Sequence, residues 1–305
     1  MSATQPMVMR AREARSFDPN RAGKYFVLPA LLLYGCFFVY PFLSSIYLSF
    51  TQWNGAAAPV FNGLDNYIRL FGDARMWGAL KNNLIWVVLG TITPIVIGLF
   101  LSVLLWSGAV GSLLFRIVYF LPLVVSPVVV SVTWGWIYNP LFGILNRFLK
   151  MTGLGSLATG WLGNPSTALY AVLVTAVWGY LGFCVVVFFS ALQKVDGELL
   201  DAATLDGAGP LARFWHIVLP QIRPVLTMVI VYTVIGGFNV FDVIYIMTRG
   251  GPAGASEVIA TYTYKASFQQ NEVGYGTALS MVMTVIALLA AIVTLRLRRD
   301  TEDGI

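Results

Sequence analysis

Long apolar runs alternate along this chain with short segments rich in charge, Gly and Pro. The runs fall at residues 25–50, 81–106, 116–138, 167–192, 224–247 and 273–295. As helix, about 20 apolar residues cross the hydrocarbon core of a bilayer, so the pattern predicts six membrane spans. Pro29 and Pro41 bend or bound the first, Pro94 lies inside the second, and Pro122 and Pro127 interrupt the third. Ser107-Gly108 and Gly111-Ser112 turn the chain between the second and third. Residues 51–80 form a polar loop that leads into an amphipathic helix. Residues 139–166 form another, with a short amphipathic helix at 141–151. A tight turn at Arg249-Gly250-Gly251-Pro252 opens a third loop, which runs to about Glu272. The interval 194–224 differs from the rest, because it concentrates charge between two apolar runs.

Composition supports this reading. Hydrophobic residues make up 58% of the 305 positions and charged residues 11%. Soluble domains carry about 25% charged residues, so there is too little charge here to coat a water-facing surface. The net charge of +5 does not point to nucleic acid, because the basic residues gather at span ends. With both ends of the chain inside, Arg10, Arg12, Arg15, Arg21, Lys24, Arg116, Lys194, Arg213, Arg223, Arg296, Arg298 and Arg299 are internal. Arg69, Arg75, Lys81, Arg147, Lys150, Arg249 and Lys265 are external, so most of the 19 basic residues lie inside, as the positive-inside rule requires. The chain divides into a cytoplasmic tail at 1–24, a membrane domain at 25–299 with a core at about 77–297, and a tail at 300–305.

The chemistry is sparse. Cys36 and Cys184 have no metal or redox spacing, and His216 cannot build a metal site alone. None of the lysines lies in a GxxxxGK[ST] phosphate loop. The run KVDGELLDAATLDGAGPLARFWHIVLPQIRP, residues 194–224, reads as two short helices. Asp196 caps the first, with Glu198 and Asp201 near its positive end. Gly207 ends it, Pro210 starts the second, and Pro220 predicts a break near Leu219. Asp242 is the one carboxylate within a predicted span. A mid-bilayer charge costs about 2.5–3.5 kcal/mol on insertion scales, so Asp242 faces the bundle interior or a wet cavity. It is either a passage residue or a structural carboxylate. Trp134, Trp136 and Tyr138 fit either an aromatic belt or a solute path.

The 194–224 run resembles the conserved EAA loop in permease subunits of bacterial ABC importers. Asp201-Ala202-Ala203, Asp206-Gly207-Ala208, Phe214 and Leu219-Pro220 stand in one register with that motif. Asp201 replaces the usual Glu, which keeps the charge with a shorter reach. Gly63-Leu64-Asp65-Asn66-Tyr67 and the passage 238–252 are similar to carbohydrate permeases. The resemblance implies an all-α, six-span type I importer fold with both termini cytoplasmic in a bacterial plasma membrane. It implies a second related permease, two ATPase subunits that bind ATP and Mg, and an external solute-binding protein. No cofactor is expected in this chain and no enzymatic activity of its own. Leu199, Leu200, Ala202, Ala203 and Leu205 would meet the ATPase, with Glu198, Asp201 and Asp206 at the rim. Gly207, Ala208, Phe214, Leu219 and Pro220 complete the docking motif. Asn239, Asp242, Tyr245, Trp134 and Tyr138 are the expected passage residues for a sugar or oligosaccharide. A permease for glycerol phosphate or another polyol, or a stand-alone secondary transporter, remains an alternative.

Overall fold

The structure is a computed structural model that describes residues 19–108 and 112–302, with side chains at 27–108, 114–115 and 117–296. Most of the basic N-terminal tail, Gly111, the Arg116, Arg298 and Arg299 side chains and the last three residues lie outside the described residues.

The chain divides into two compact units, at residues 1–47 and 48–305. In the first, α1 (Pro19–Tyr34) passes through a wide π turn at Gly35–Val39 into α2 (Tyr40–Ser49). This stretch has the length and apolarity of a span, and it buries almost nothing.

The second unit opens with β1 (Thr51–Gln52) and β2 (Val60–Phe61), an antiparallel pair with Thr51 opposite Phe61. Next come α3 (Asp65–Gly72) and α4 (Ala74–Trp106). Asp73 caps α4, accepting from the Arg75 N–H at 2.8 Å, so the second span starts earlier than Lys81. Then follow α5 (Ser112–Val124), α6 (Pro127–Ile137), α7 (Ile144–Met151) and α8 (Ala168–Leu192). The segment after α8 holds α9 (Gly197–Leu205) and α10 (Pro210–Arg213). The unit closes with α11 (Leu219–Phe238), α12 (Asp242–Met247), α13 (Ile259–Tyr264) and α14 (Val273–Glu302).

Among the described residues, five helical stretches are long and apolar enough to cross a membrane, and the α5–α6 pair makes a sixth. That pair is bent by 107° rather than straight. Pro122 is tolerated inside α5, whereas Pro127 begins α6, because the break falls at Val125-Ser126.

Small residues set the closest helix crossings, as expected where lipid gives helices no hydrophobic reason to associate. A methyl group on Gly182 of α8 would sit 2.1 Å from the Tyr119 carbonyl of α5. One on Gly98 of α4 would sit 2.6 Å from the Cys184 Cβ of α8. Beside that crossing the buried Ser102 hydroxyl lies 2.6 Å from the Gly98 carbonyl and 2.9 Å from that of Val185.

Two sequence expectations need correction. The break near Leu219–Pro220 does not occur: residues Pro210–Phe238 form one continuous 29-residue helical stretch. A wide turn at Phe214–Val218 makes this possible, with the Leu219 N–H bonded to the Phe214 carbonyl five residues back. A proline ring clashes with the carbonyl four residues before it. For Pro220 that is His216, which lies inside the wide turn rather than in a regular helical turn. Pro41 follows its own wide turn at the same interval, with Phe37 in the corresponding place. The fifth span also ends sooner than expected. Its helix stops at Phe238, residues 239–241 are irregular, and Asp242 begins α12. Asp242 is therefore not inside a continuous span helix.

Candidate functional site

Three features carry the candidate chemistry: the elbow between α8 and α11, a cavity among the spans, and a polar cluster at the end of the bundle away from the elbow.

The elbow is built by its caps. The Asp196 carboxylate accepts from the Glu198 N–H at 2.9 Å, and the Asp196 N–H donates to Gln221 Oε1 at 3.0 Å. The first bond starts α9 and the second ties it to α11. At the other end, Ala208 N–H reaches the Ala203 carbonyl at 2.9 Å and Gly207 N–H reaches that of Thr204 at 3.1 Å. This is a Schellman termination, and it places Gly207 at φ +80°. The Arg213 guanidinium donates to Thr204 Oγ1 at 2.6 Å, joining α10 to α9.

Helical periodicity sorts the elbow residues into two sets. Glu198, Leu199, Asp201, Ala202, Leu205 and Asp206 are exposed, Leu205 at 89%. Leu200, Phe214 and Leu219 turn inward onto Leu192, Val218 and Ile222, and Ala203 is half-buried. Leu200 thus helps to hold the elbow to the spans. Pro220 is exposed and Ala208 half-buried. Sequence reasoning missed Leu211 and Trp215, exposed at 71% and 57% on the second arm. Their spacing of four was the available signal.

The cavity measures about 540 Å³. Trp86 and Gly90 of α4, the α5–α6 break, α8 from Leu173 to Tyr180, and Tyr232 to Val243 line it. Among the described residues Asp242 is the sole charged one in its lining, and it is exposed there. Tyr180 and Tyr232 stack at 6.2 Å on the same wall, and the Tyr180 hydroxyl has no hydrogen-bond partner among the described residues.

The other expected passage residues do not join Asp242. Asn239 lines a separate cavity of about 230 Å³ with Thr263, Ser280 and Thr284, and its amide donates to the Ile235 carbonyl at 3.0 Å. Its position three residues before Asp242 suggested a shared face only if the helix continued, and it does not. Tyr245 stacks on Phe241 at 5.0 Å and meets Tyr264 edge-on at 4.9 Å, away from both cavities. Tyr138 is buried, with its hydroxyl donating to the Ala171 carbonyl at 3.1 Å, and Trp134 packs on Tyr138 and Trp178. These two are packing residues.

At the end away from the elbow, Glu257 is 2% exposed between Arg75, at 3.1 Å, and Lys265. The Asn82 amide donates to the Glu257 carbonyl at 2.8 Å, and Asn83 Oδ1 accepts from the Ile259 N–H at 2.8 Å. Asp73 accepts from the hydroxyls of Tyr262 and Tyr275. Partial burial pushes the Asp73 carboxyl up, but those hydroxyls and the N–H groups of Arg75 and Met76 outweigh it and hold the pKa below 3.8. Desolvation, then the bond to Asp73, pushes the Tyr262 phenol up to about 12. The hydrogen bond to Glu272, at 2.8 Å, raises Arg69.

Residues 74–302 match the family described as binding-protein-dependent transport system inner membrane component. The chain belongs to that family. The match covers α4 to α14, and so includes the elbow, the cavity and the polar cluster apart from Arg69 and Asp73. The chain is 37% identical over 282 residues to the probable ABC transporter permease protein YurN of Bacillus subtilis, covering 91% of this chain and 96% of that one. It is 32% identical over 307 residues to the diacetylchitobiose uptake system permease protein NgcF of Streptomyces coelicolor, covering 96% and 86%. A chain of the bacterial alginate ABC transporter, solved with its alginate pentasaccharide-bound periplasmic protein, superposes with a TM-score of 0.82. At 20% identity over 95% of this chain and 98% of that one, this likeness establishes the shared fold. The protein is thus a multi-pass membrane permease subunit with the type I importer fold.

Proposed function

We propose that this permease carries a neutral saccharide, and that a separate ATPase drives it through the elbow. The observation that supports this best is the continuity of Pro210–Phe238. One helix joins an exposed, capped elbow at one end to the wall of the cavity at the other. Leu199, Leu205, Leu211 and Trp215 would supply apolar contact with the ATPase, and Glu198, Asp201 and Asp206 the polar rim. ATP and Mg would be held by that subunit. The partners on this reading are a second related permease, two ATPase subunits and an external solute-binding protein. The elbow and both tails, 1–24 and 300–305, would lie in the cytoplasm, with a bacterial plasma membrane around the 25–299 domain.

The lining of the cavity favours the substrate class. A glycerol phosphate would call for cations, and among the described residues no Lys or Arg lines the cavity. Tyr180, Tyr232 and Trp86 offer aromatic faces, and Asp242 an acceptor for hydroxyl groups. The NgcF relative is named for diacetylchitobiose uptake, a neutral saccharide, which agrees with this choice.

The test is reconstitution of the whole complex in proteoliposomes. ATP-dependent uptake of a labelled neutral oligosaccharide is expected only with binding protein and ATPase present. Uptake by this chain alone would replace the proposal with a secondary transporter. Uptake of glycerol phosphate in preference to the saccharide would overturn the substrate class.

A further inference from the structure

The helix α7 turns an apolar stripe outward and buries a polar residue, Asn146. Ile144, Phe148 and Met151 recur at intervals of four and three, so they form one stripe, and all three are exposed. Phe148 is 59% exposed and Met151 78%. The preceding loop adds Leu141 and Phe142, exposed at 92% and 69%. Arg147 and Lys150 are exposed beside the stripe.

The orientation is held firmly. On the inner face Asn146 is buried, its amide donates to the Thr159 carbonyl at 2.9 Å, and its oxygen accepts from Trp161 Nε1 at 2.7 Å. Gly143, which opens the helix, fits beneath the Ile137 and Asn139 carbonyls, where a methyl group would lie within 2.5 Å of both. A rotation that buried the stripe would strand Asn146. Such an outward apolar face is costly in water and needs an apolar covering.

We infer that α7 lies in the lipid headgroup interface, on the side of the membrane opposite the elbow, and anchors that end of the permease. Its place in the fold fixes the side. Tyr138 just before it is bonded to Ala171 in the first turn of α8, whose far end leads to the elbow. Continuity argues for lipid as the covering. The exposed apolar surface of α6 at Val129, Val132 and Trp136 belongs to a membrane-crossing pair and leads directly to Leu141. Arg147 and Lys150 match the anionic phosphates of headgroups. An apolar stripe bordered by cations is the pattern of helices that lie flat in that interface. The inference rests on membership of the membrane family, and it holds whichever solute is carried.

The test places one exposed cysteine, Phe148→Cys, in a Cys36→Ser background that otherwise keeps only the buried Cys184, and labels it with bimane. The full chain is assembled into nanodiscs of phosphatidylethanolamine and phosphatidylglycerol. Headgroup spin-labelled lipid is expected to lower the emission at least two-fold, and iodide to act weakly. A bimane at Ala57→Cys, in the exposed β1–β2 loop, is expected to do the opposite. Met151→Cys provides the same reading if the first variant assembles poorly. Adding Arg147→Glu and Lys150→Glu is expected to weaken quenching in anionic discs more than in neutral ones. Strong iodide quenching at both 148 and 151, without lipid quenching, would overturn the inference. So would protection that develops only when a solute-binding protein is added, which would give the face to a protein partner.

Discussion

At the scale of single residues, Gly207 and Asp242 carry the most specific consequences. A methyl group on Gly207 meets nothing within 4 Å, so sterics with neighbours do not demand glycine there. The backbone does, because its φ of +80° costs an ordinary L-residue about 1–2 kcal/mol. Gly207→Asn should therefore keep most ATPase recovery in co-purification, since Asn tolerates this region. Gly207→Arg should lose most of it while the chain still reaches the membrane. Equal recovery from both variants would mean that the angle between α9 and α10 is irrelevant to docking. Asp242 makes a different claim. Exposed to a cavity at the start of α12, it can lose its charge without leaving an unpaired buried partner. Asp242→Ala should lower saccharide uptake at least several-fold and leave ATPase recovery at the wild-type level. Normal uptake would remove it from the passage.

At the scale of elements, the cluster that joins the start of α4 to α13 and α14 should behave as an electrostatic clasp. Glu257 is buried against two cations that keep some solvent. Removing one partner of a buried pair costs about 3–5 kcal/mol, and partial exposure of Arg75 places Glu257→Ala towards the lower end. Glu257→Gln keeps the shape and should cost less; thermal unfolding in detergent compares them. Asp73 adds a pH dependence of definite sign. Its folded pKa lies below 3.8, so its contribution is complete above that value and fades as pH falls through the folded one. Asp73→Asn should flatten that acid limb, whereas an unchanged limb would assign the loss to other carboxylates. None of this clasp was legible in the chain, because Asp73 and Glu257 are 184 positions apart and carry no shared motif. What was legible depended on local rules. The Asp196 cap, the Gly207 turn and the Pro210 start follow from side-chain chemistry within a few residues. Apolar length alone placed the six spans. The reading failed where a local rule was overridden from nearby. The wide turn at Phe214–Val218 absorbed Pro220, and the stop at Phe238 separated Asn239 from Asp242. Orientation about the helix axis decided which leucines of α9 face outward, and composition does not encode it.

At the scale of the whole molecule, the proposed coupling comes down to whether Pro210–Phe238 is stiff. At 1.5 Å per residue its 29 residues extend about 43 Å, from the elbow to Tyr232, Gly236 and Gly237 on the cavity wall. A straight helix of that length transmits displacement of one end to the other, and a flexible joint within it would not. The joint is best introduced at the wide turn, where the regular ladder of bonds is already interrupted. Ile217→Gly with Val218→Gly should loosen the helix there by about 1 kcal/mol of lost propensity, and further by removing the Val218 side chain from its cluster. The exposed residues of the elbow are untouched, so ATPase recovery should persist. ATP hydrolysis should continue while saccharide uptake falls at least five-fold, which separates docking from transmission. Loss of ATPase recovery would show that the variant has damaged the elbow itself. Restoring Val218 alone then provides the milder test. Uptake that keeps pace with hydrolysis in both variants would mean that force reaches the cavity by another route, and the helix would be only its scaffold.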